Sequence, residues 1–445
     1  MKRVVPALLA ASSLYAGTDP APLSTIASDT KSSTPIIQPA GNDNPLSFFN
    51  GALVFDFEER LRFEDRNNNF DFNDAIKSKT DGSWLLDRTR VGMKFTPSDY
   101  FTFYVQGQSS YEFGDDRGHV PGVNGAEGND PANLHQAYVL IGPKNFNVTI
   151  GRQILAYGDE RLVGGFDWNN FSRVFDAVKI HYAGDSWVID AFTSSVVAPT
   201  NGQFDMNDLY NGTGVTRGQV FSGVYFSTTG LIPVQTTDLY AFELHELGTD
   251  FVTLGTRMKD DPKKLNGFMY ETEMAAQFGT FNHEDISAFA GHYGIGYTAL
   301  NVSWSPSVML QYNYASPEFQ NLFPTNHGLY GNMDLFAWQN MQETAITFTV
   351  HPCDTVTAKV GFQADWVADT SDPWYRANGT TVVRPVKASA DPFQGTELDT
   401  SVTWNPCKHL SLQAGYSHFF AGDYLKATGA NSDADFTYVM MTVKF

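Results

Sequence analysis

The sequence predicts an all-β fold, a transmembrane antiparallel β-barrel of about 18 strands with 16 as the alternative, and three observations carry that prediction. From Gly51 onward apolar and polar residues alternate with period two. The alternating segments run about ten residues, the length a tilted strand needs to cross a bilayer core. Their connections alternate between short turns and long loops, which describes a barrel with short periplasmic turns and long external loops. A soluble sandwich alternates too, so segment and connection lengths decide the matter.

The chain starts with basic Met1-Lys2-Arg3, an apolar stretch from Val4 to Tyr15, and small Ala16-Gly17. This reads as a signal peptide over residues 1–16. Residues 17–49 are rich in Ser, Thr, Pro and Asp, and predict a disordered periplasmic leader. The barrel is expected over 50–445. No run of 18 apolar residues exists, so helical membrane spans are ruled out. The 29 Lys+Arg against 49 Asp+Glu give −20, and losing Lys2 and Arg3 with the leader gives −22. Such a chain offers nucleic acid no basic face.

The first segment places Leu53, Phe55, Phe57, Leu61 and Phe63 on one face, with Asp56, Glu58, Arg60 and Arg62 opposite. In the second, Leu85, Thr89, Val91, Met93 and Phe95 oppose Arg88, Arg90 and Lys94. Later, Val356 to Trp366 alternate against Thr355 to Asp365, and Thr437 to Phe445 against Tyr438 to Lys444. Short connections fall at 96–99, 142–145, 183–186, 351–354 and 405–408. Long ones fall near 65–83, 113–131, 157–172, 199–216, 316–340, 367–395 and 421–433. The connection around 248 is short where a long one is due. Trp84, Tyr100, Phe101, Trp187, Trp304, Trp366 and Trp404 stand at segment ends, as aromatic girdles would. The chain ends on apolar-face Phe445.

Backbone groups facing lipid have no water partner, so the sheet must close. At this strand number side chains cannot fill the interior, and an aqueous channel is expected. The polar parity gives inward Arg60, Arg62, Arg88, Arg90, Lys94, Lys179, Arg257 and Lys359. It also gives inward Asp56, Glu58, Glu271, Glu273, Glu343, Asp365, Glu397 and Asp399. Arg60, Arg62, Arg88 and Arg90 fall on neighbouring strands, a guanidinium cluster suited to carboxylates. Bracing of the wall through cross-strand ion pairs is the competing role for each. Much of the acid is expected in loops, as at Asp65, Asp71, Asp74, Asp115, Asp116, Glu127 and Asp130.

The stretch Gly151-Arg152-Gln153-Ile154-Leu155-Ala156-Tyr157-Gly158-Asp159-Glu160-Arg161 is followed by Gly164, Trp168-Asn169-Asn170, Arg173 and Phe175-Asp176-Ala177-Val178-Lys179. It resembles the signature of the alginate-export outer-membrane porin family. So do Phe323 to Gly331, Asp334-Leu335, Trp338-Gln339-Asn340, Glu397-Leu398-Asp399 and Gly415 to Phe419. The resemblance covers most of the chain after residue 50. It implies an 18-stranded monomeric barrel in the outer membrane whose electropositive constriction passes a polyuronate. By matching position it adds Arg152, Arg161 and Arg173 to the channel-lining candidates. Strict alternation sets Arg152 on the side of apolar Ile150, so a bulge at Gly151 is needed to bring it inside.

The expected function is therefore a channel for anionic polysaccharide or oligosaccharide, with Arg60, Arg62, Arg88, Arg90, Arg152, Arg161, Arg173, Lys179 and Arg257 lining it. A small-solute porin without polymer preference is the alternative; a surface-loop enzyme or adhesion barrel is the third reading. Expected partners are outer-membrane lipid, the anionic sugar and a periplasmic secretion partner, with no nucleic acid and no cofactor. No HExxH or G-x-S-x-G occurs, so no catalytic residue is assigned. Asp65, Asn67, Asn69 and Asp71 alternate like a calcium loop but lack its Gly and Glu, with Phe70 and Ile76 in those places. A polar external loop is the preferred reading. Cys353 and Cys407 sit in Pro-Cys turns at one end of the barrel, where an oxidising periplasm permits a disulfide without requiring one.

Overall fold

The computed structural model describes residues 46–445 except 79, 115–116, 119–125, 201–203, 208, 210–217, 380 and 389. The expected signal peptide, most of the expected leader, and Asp115 and Asp116 lie outside the described residues. Residues Ser47 and Phe48 fold back to pair with Val54 and Leu53.

Eighteen strands form one closed antiparallel barrel. They are β1 Leu53–Asn67, β2 Gly82–Ser98, β3 Phe101–Phe113, β4 Asp130–Ile141, β5 Phe146–Gln153 and β6 Phe175–Ala183. Next come β7 Trp187–Ala198, β8 Val220–Thr228, β9 Gln235–Glu246, β10 Thr249–Asp260, β11 Phe268–Phe281 and β12 Glu284–Thr298. The last are β13 Ser307–Ala315, β14 Met341–Cys353, β15 Val356–Val367, β16 Phe393–Cys407, β17 Leu410–Ala421 and β18 Ala434–Lys444. Each strand pairs with its sequence neighbours. Closure comes from β1 against β18, with Glu58 opposite Lys444 and Asn67 opposite Asp435.

Period two is visible in the burial. Along β1, Asp56, Glu58, Arg60, Arg62, Glu64 and Arg66 are buried, while Phe63, Asp65 and Asn67 are exposed. Val91, Ile180, Leu239, Leu254, Ile295, Leu310, Phe348, Val360, Val402 and Val439 form the exposed apolar face. A one-residue slip would exchange the two sets. Tyr100, Trp304 and Trp404 stand exposed near strand ends, as a girdle requires. Trp84 does not: it lies on the inward parity with Leu86 and Arg88, buried beneath the guanidinium of Arg117 at 3.5 Å.

The short expected connection at 247–248 joins β9 to β10, and a second joins β11 to β12 at 282–283. There Asn282 and His283 both have positive φ, the conformation of a tight primed turn. Asn-His lacks the glycine that usually marks such a turn.

The other long connections at this end do not all stay outside. Residues around 154–174 and 316–340 meet within the barrel through a parallel bridge between Val163 and Phe323. Phe72, Leu155, Trp168, Trp338, Trp374 and Tyr424 of the short helix α1 (Asp423–Thr428) share one buried apolar cluster with wall residues Phe175, Phe221, Phe242 and Phe419. Loops, and not side chains of the wall alone, occupy the interior at the long-loop end.

Leu254, mid-strand and outward, tests the parity. Leu254→Arg should cost about 2–4 kcal/mol in urea unfolding from lipid vesicles. A change below about 1 kcal/mol would contradict the assignment of this face to lipid.

Candidate functional site

The interior charge begins with cross-strand register. Arg60 stands directly opposite Arg88, and Glu58 opposite Arg90. Two like charges in register repel, so this wall needs anions to hold it. Glu58 Oε1 accepts from Arg88 Nε at 3.0 Å and lies 3.6 Å from Arg90 Nη1. Glu64 Oε1 lies 2.7 Å from Arg62 Nε, and its other oxygen 3.1 Å from Arg66 Nε. Glu127, expected in an outer loop, reaches Arg62 Nη2 at 2.5 Å.

The remaining partners come from the segment 154–174. The backbone carbonyl of Asp167 accepts from Arg60 Nη1 at 2.5 Å and Arg88 Nη1 at 3.0 Å. Its carboxylate lies 3.0 Å from Arg88 Nη1 and 2.9 Å from Arg90 Nη1. The Trp168 carbonyl accepts from Arg62 Nη1, and the Trp168 ring lies 4.0 Å from that guanidinium. His327 stacks on the same ring at 3.7 Å, which requires the opposite face. Arg66 reaches Asp334 at 3.4 Å, and Asp334 reaches His327 at 2.9 Å. Buried charges persist when paired and hydrogen-bonded, and here loops complete the pairing that the wall begins.

A second centre surrounds Asp159. Its carboxylate lies 2.8 Å from Arg257 Nη2, 3.2 Å from Arg161 Nη1 and 3.1 Å from Lys259 Nζ. Arg257 also meets Asp238 at 2.7 Å, and Arg161 meets Glu273 at 3.4 Å. Burial works against ionisation of Asp159, but Arg257, Lys259 and Arg161 hold its carboxyl well below the usual carboxylate range. His292 bridges Glu271 at 2.8 Å and Asn313 at 2.7 Å.

The sequence-predicted residues thus separate into groups. Arg60, Arg62, Arg88 and Arg90 come together as one wall, and Arg161 and Arg257 share the second centre. Lys179 lies apart, 3.8 Å from Asp190, which also accepts His181 at 2.6 Å. Arg173 donates to the carbonyls of Gly164 at 3.1 Å and Pro324 at 2.8 Å, tying the two inward segments. Burial lowers its pKa to about 10, only partly opposed by Glu160.

Arg152 does not join them. It pairs in register with Asp176, on the face of exposed Ile150 and Val178. Gly151 has φ +124°, and a Cβ there would meet the Ala137 carbonyl at 2.2 Å. The register is nonetheless continuous across it, so no bulge carries Arg152 inside. The side chain ion-pairs with Asp176 at 2.9 Å and is covered by Phe204 and the Asp205 carbonyl.

The calcium pattern also resolves by parity. Asp65 and Asn67 project outward from β1, while buried Asn69 accepts nothing from them and binds Asp81 and Thr80. The four oxygens therefore do not converge. Cys353 and Cys407 are free, exposed thiols ending β14 and β16.

Arg66 and Asp167 escaped the sequence reading. Arg66 carries the signal, being two and four residues beyond inward Glu64 and Arg62. Asp167 carries none, because its arginine partners lie 77 to 107 residues away.

A family model described as alginate export matches residues 52–439. The chain belongs to the alginate export family. No curated protein matches its sequence. Among solved structures it is similar to OpdO of Pseudomonas aeruginosa, with 12% identity, 88% of this chain and 97% of that chain covered, and a TM-score of 0.61. It is also similar to the outer-membrane protein OprD of Pseudomonas aeruginosa, at 10% identity, 88% and 94% coverage and a TM-score of 0.61. OpdK of Pseudomonas aeruginosa, solved with vanillate, gives 11%, 88%, 98% and 0.60. At such identities these likenesses concern the fold. This alginate export family member is an outer-membrane β-barrel porin, surrounded by lipid and built to pass solute.

Asp159 gives a stability test. Asp159→Asn removes the carboxylate that Arg257, Arg161 and Lys259 share and should cost roughly 3 kcal/mol in unfolding from lipid vesicles. The folded carboxyl titrates below its unfolded value near ~3.9, so its contribution is complete above that value and fades as pH falls through the folded one. The difference between wild type and variant should hold from about pH 8 to 5 and shrink below about 4.

Proposed function

We propose that this porin passes anionic sugars of the polyuronate class, as polymer or oligomer, passively across the outer membrane. The observation that carries this reading is the arginine wall of β1 and β2. Arg60, Arg62, Arg66, Arg88 and Arg90 occupy neighbouring inward positions on two paired strands, and all are buried. Guanidinium presents a planar fork that matches a carboxylate. In a confined interior such groups concentrate passing anions. The chemistry is non-covalent: each contact must be weak enough for the chain to move on. Arg161, Arg173, Lys179 and Arg257 are further contacts along the path, and Arg152 is left out of it. No residue is assigned a catalytic role. The porin acts as a monomer, and a periplasmic partner delivers or receives the polymer.

The family supports polysaccharide passage. A second reading has its own support: the loops that occupy the interior leave less room for a polymer, and the porins of similar fold include one solved with vanillate, a small carboxylate. In that reading the same arginines select small anions.

The assignment is tested in planar bilayers. Replacing Arg60, Arg62, Arg88 and Arg90 by Gln should lower the anion-to-cation permeability ratio in a KCl gradient roughly tenfold. Arg90→Gln alone, with heat-modifiable gel migration as a check on folding, should lower it in part. An unchanged reversal potential in both variants refutes the wall as the selecting element. Current block by mannuronate oligomers separates the two readings, since a small-anion porin shows none.

A further inference from the structure

The wall is not empty. Asp167 holds a position that a cargo carboxylate would take, and this rests on the reading above. Its Oδ1 lies 3.0 Å from Arg88 Nη1 and 2.9 Å from Arg90 Nη1, and its Oδ2 accepts from Arg88 Nη2 at 3.3 Å. Ser172 Oγ donates to Oδ1 at 3.4 Å, and the backbone carbonyl covers Arg60.

The exposures are reversed from those of an ordinary buried ion pair. The side chains of Arg88 and Arg90 are 1% and 2% exposed, whereas that of Asp167 is 56% exposed. Solvent therefore touches the carboxylate and not the guanidiniums it pairs with. The charged groups around it are Arg60, Arg88, Arg90, Lys444, Glu58 and Glu160. Depth inside the barrel opposes ionisation, but Arg88, Arg90 and Arg60 outweigh it and hold the carboxyl well below the usual range. It is thus a charged competitor at neutral pH.

Its placement is imposed by contacts. Phe166, the preceding residue, has φ +49°, a region bulky residues rarely adopt. Phe166 N donates to Thr325 Oγ1 at 2.8 Å, and Arg60 and Arg88 grip the carbonyl that follows.

We propose that Asp167 is a specificity-determining residue: a resident carboxylate that occupies the arginine site and yields it to the carboxylates of the passing sugar. Displacement exchanges one carboxylate for another on the same guanidiniums. Neutral sugars and cations cannot make that exchange.

The test uses the full chain in planar bilayers, with Asp167→Asn and Asp167→Glu. Asparagine keeps the shape and one acceptor oxygen while removing the charge; glutamate restores the charge. Asp167→Asn should raise the anion-to-cation permeability ratio several-fold in a KCl gradient, and should strengthen block by a mannuronate tetramer by a similar factor. Asp167→Glu should restore wild-type selectivity. Higher conductance with unchanged selectivity would reduce Asp167 to a structural plug contact and overturn the proposal. So would a ratio unmoved in either direction. If selectivity shifts as expected but the tetramer blocks no variant, the resident carboxylate stands and the polymer reading falls.

Discussion

The structure depends on one constraint: in hydrocarbon every backbone N–H and C=O must find a protein partner. A sheet meets it only by closing, and closure here is the pairing of β1 with β18. A closed sheet has one wet face and one greasy face. Period two then assigns every side chain to one of them. The arginines of β1 and β2 are interior because Phe57, Leu61, Leu85 and Val91 must be exterior. Charge did not choose its side; the apolar residues between the charges did.

That assignment creates a second problem, and the loops answer it. Arg60 opposite Arg88 is an unfavourable pair in a poorly hydrated interior. The strands themselves offer Glu58, Glu64 and Gln108, and among the described residues the hydrogen-bond partners of Arg60 all come from the loop. Asp167, Glu127 and the carbonyls of Trp168 and Asn169 supply the rest. The inward path of 154–174 follows from this demand, and Val163 carries 316–340 with it through Phe323. The same logic repeats at Asp159, a loop carboxylate among Arg161, Arg257 and Lys259. In both places a loop carboxylate meets cations of the wall.

The fold was legible because its signals are local. Ten-residue alternation and connection length need no partner to be read, and the strand number and closure followed from them. The arginine wall was legible for the same reason, and Arg66 could have been read by the same count. Where residue type and parity point to different faces, parity decides. Trp84 sits at a strand end like a girdle tryptophan, yet stands two residues from inward Leu86. Arg152 belongs to a family motif, yet Ile150 and Val178 fix its face as outward. Asp65 and Asn67 looked like loop ligands, but β1 runs through them. What a period cannot give is the path of a loop. Asp167, Glu127 and the Trp168–His327 stack depend on contacts 65 to 159 residues apart in sequence.

Net charge and local charge do different work in this molecule. A chain at −20 has no general attraction for polyanions. Selection must therefore be built from near neighbours, where a guanidinium pair in a confined space outweighs distant carboxylates screened by salt. Yet a bare arginine cluster binds a polyuronate at many points, and multivalent contact slows release. A channel needs binding that is easily reversed. Keeping the cluster near neutrality with carboxylates of its own meets both needs. In the proposed exchange an arriving carboxylate would replace an equivalent one, so the free energy of exchange would stay small while neutral solutes would gain nothing. Under the proposed function, the acids that make the interior look mixed would let the arginines select an anion without retaining it.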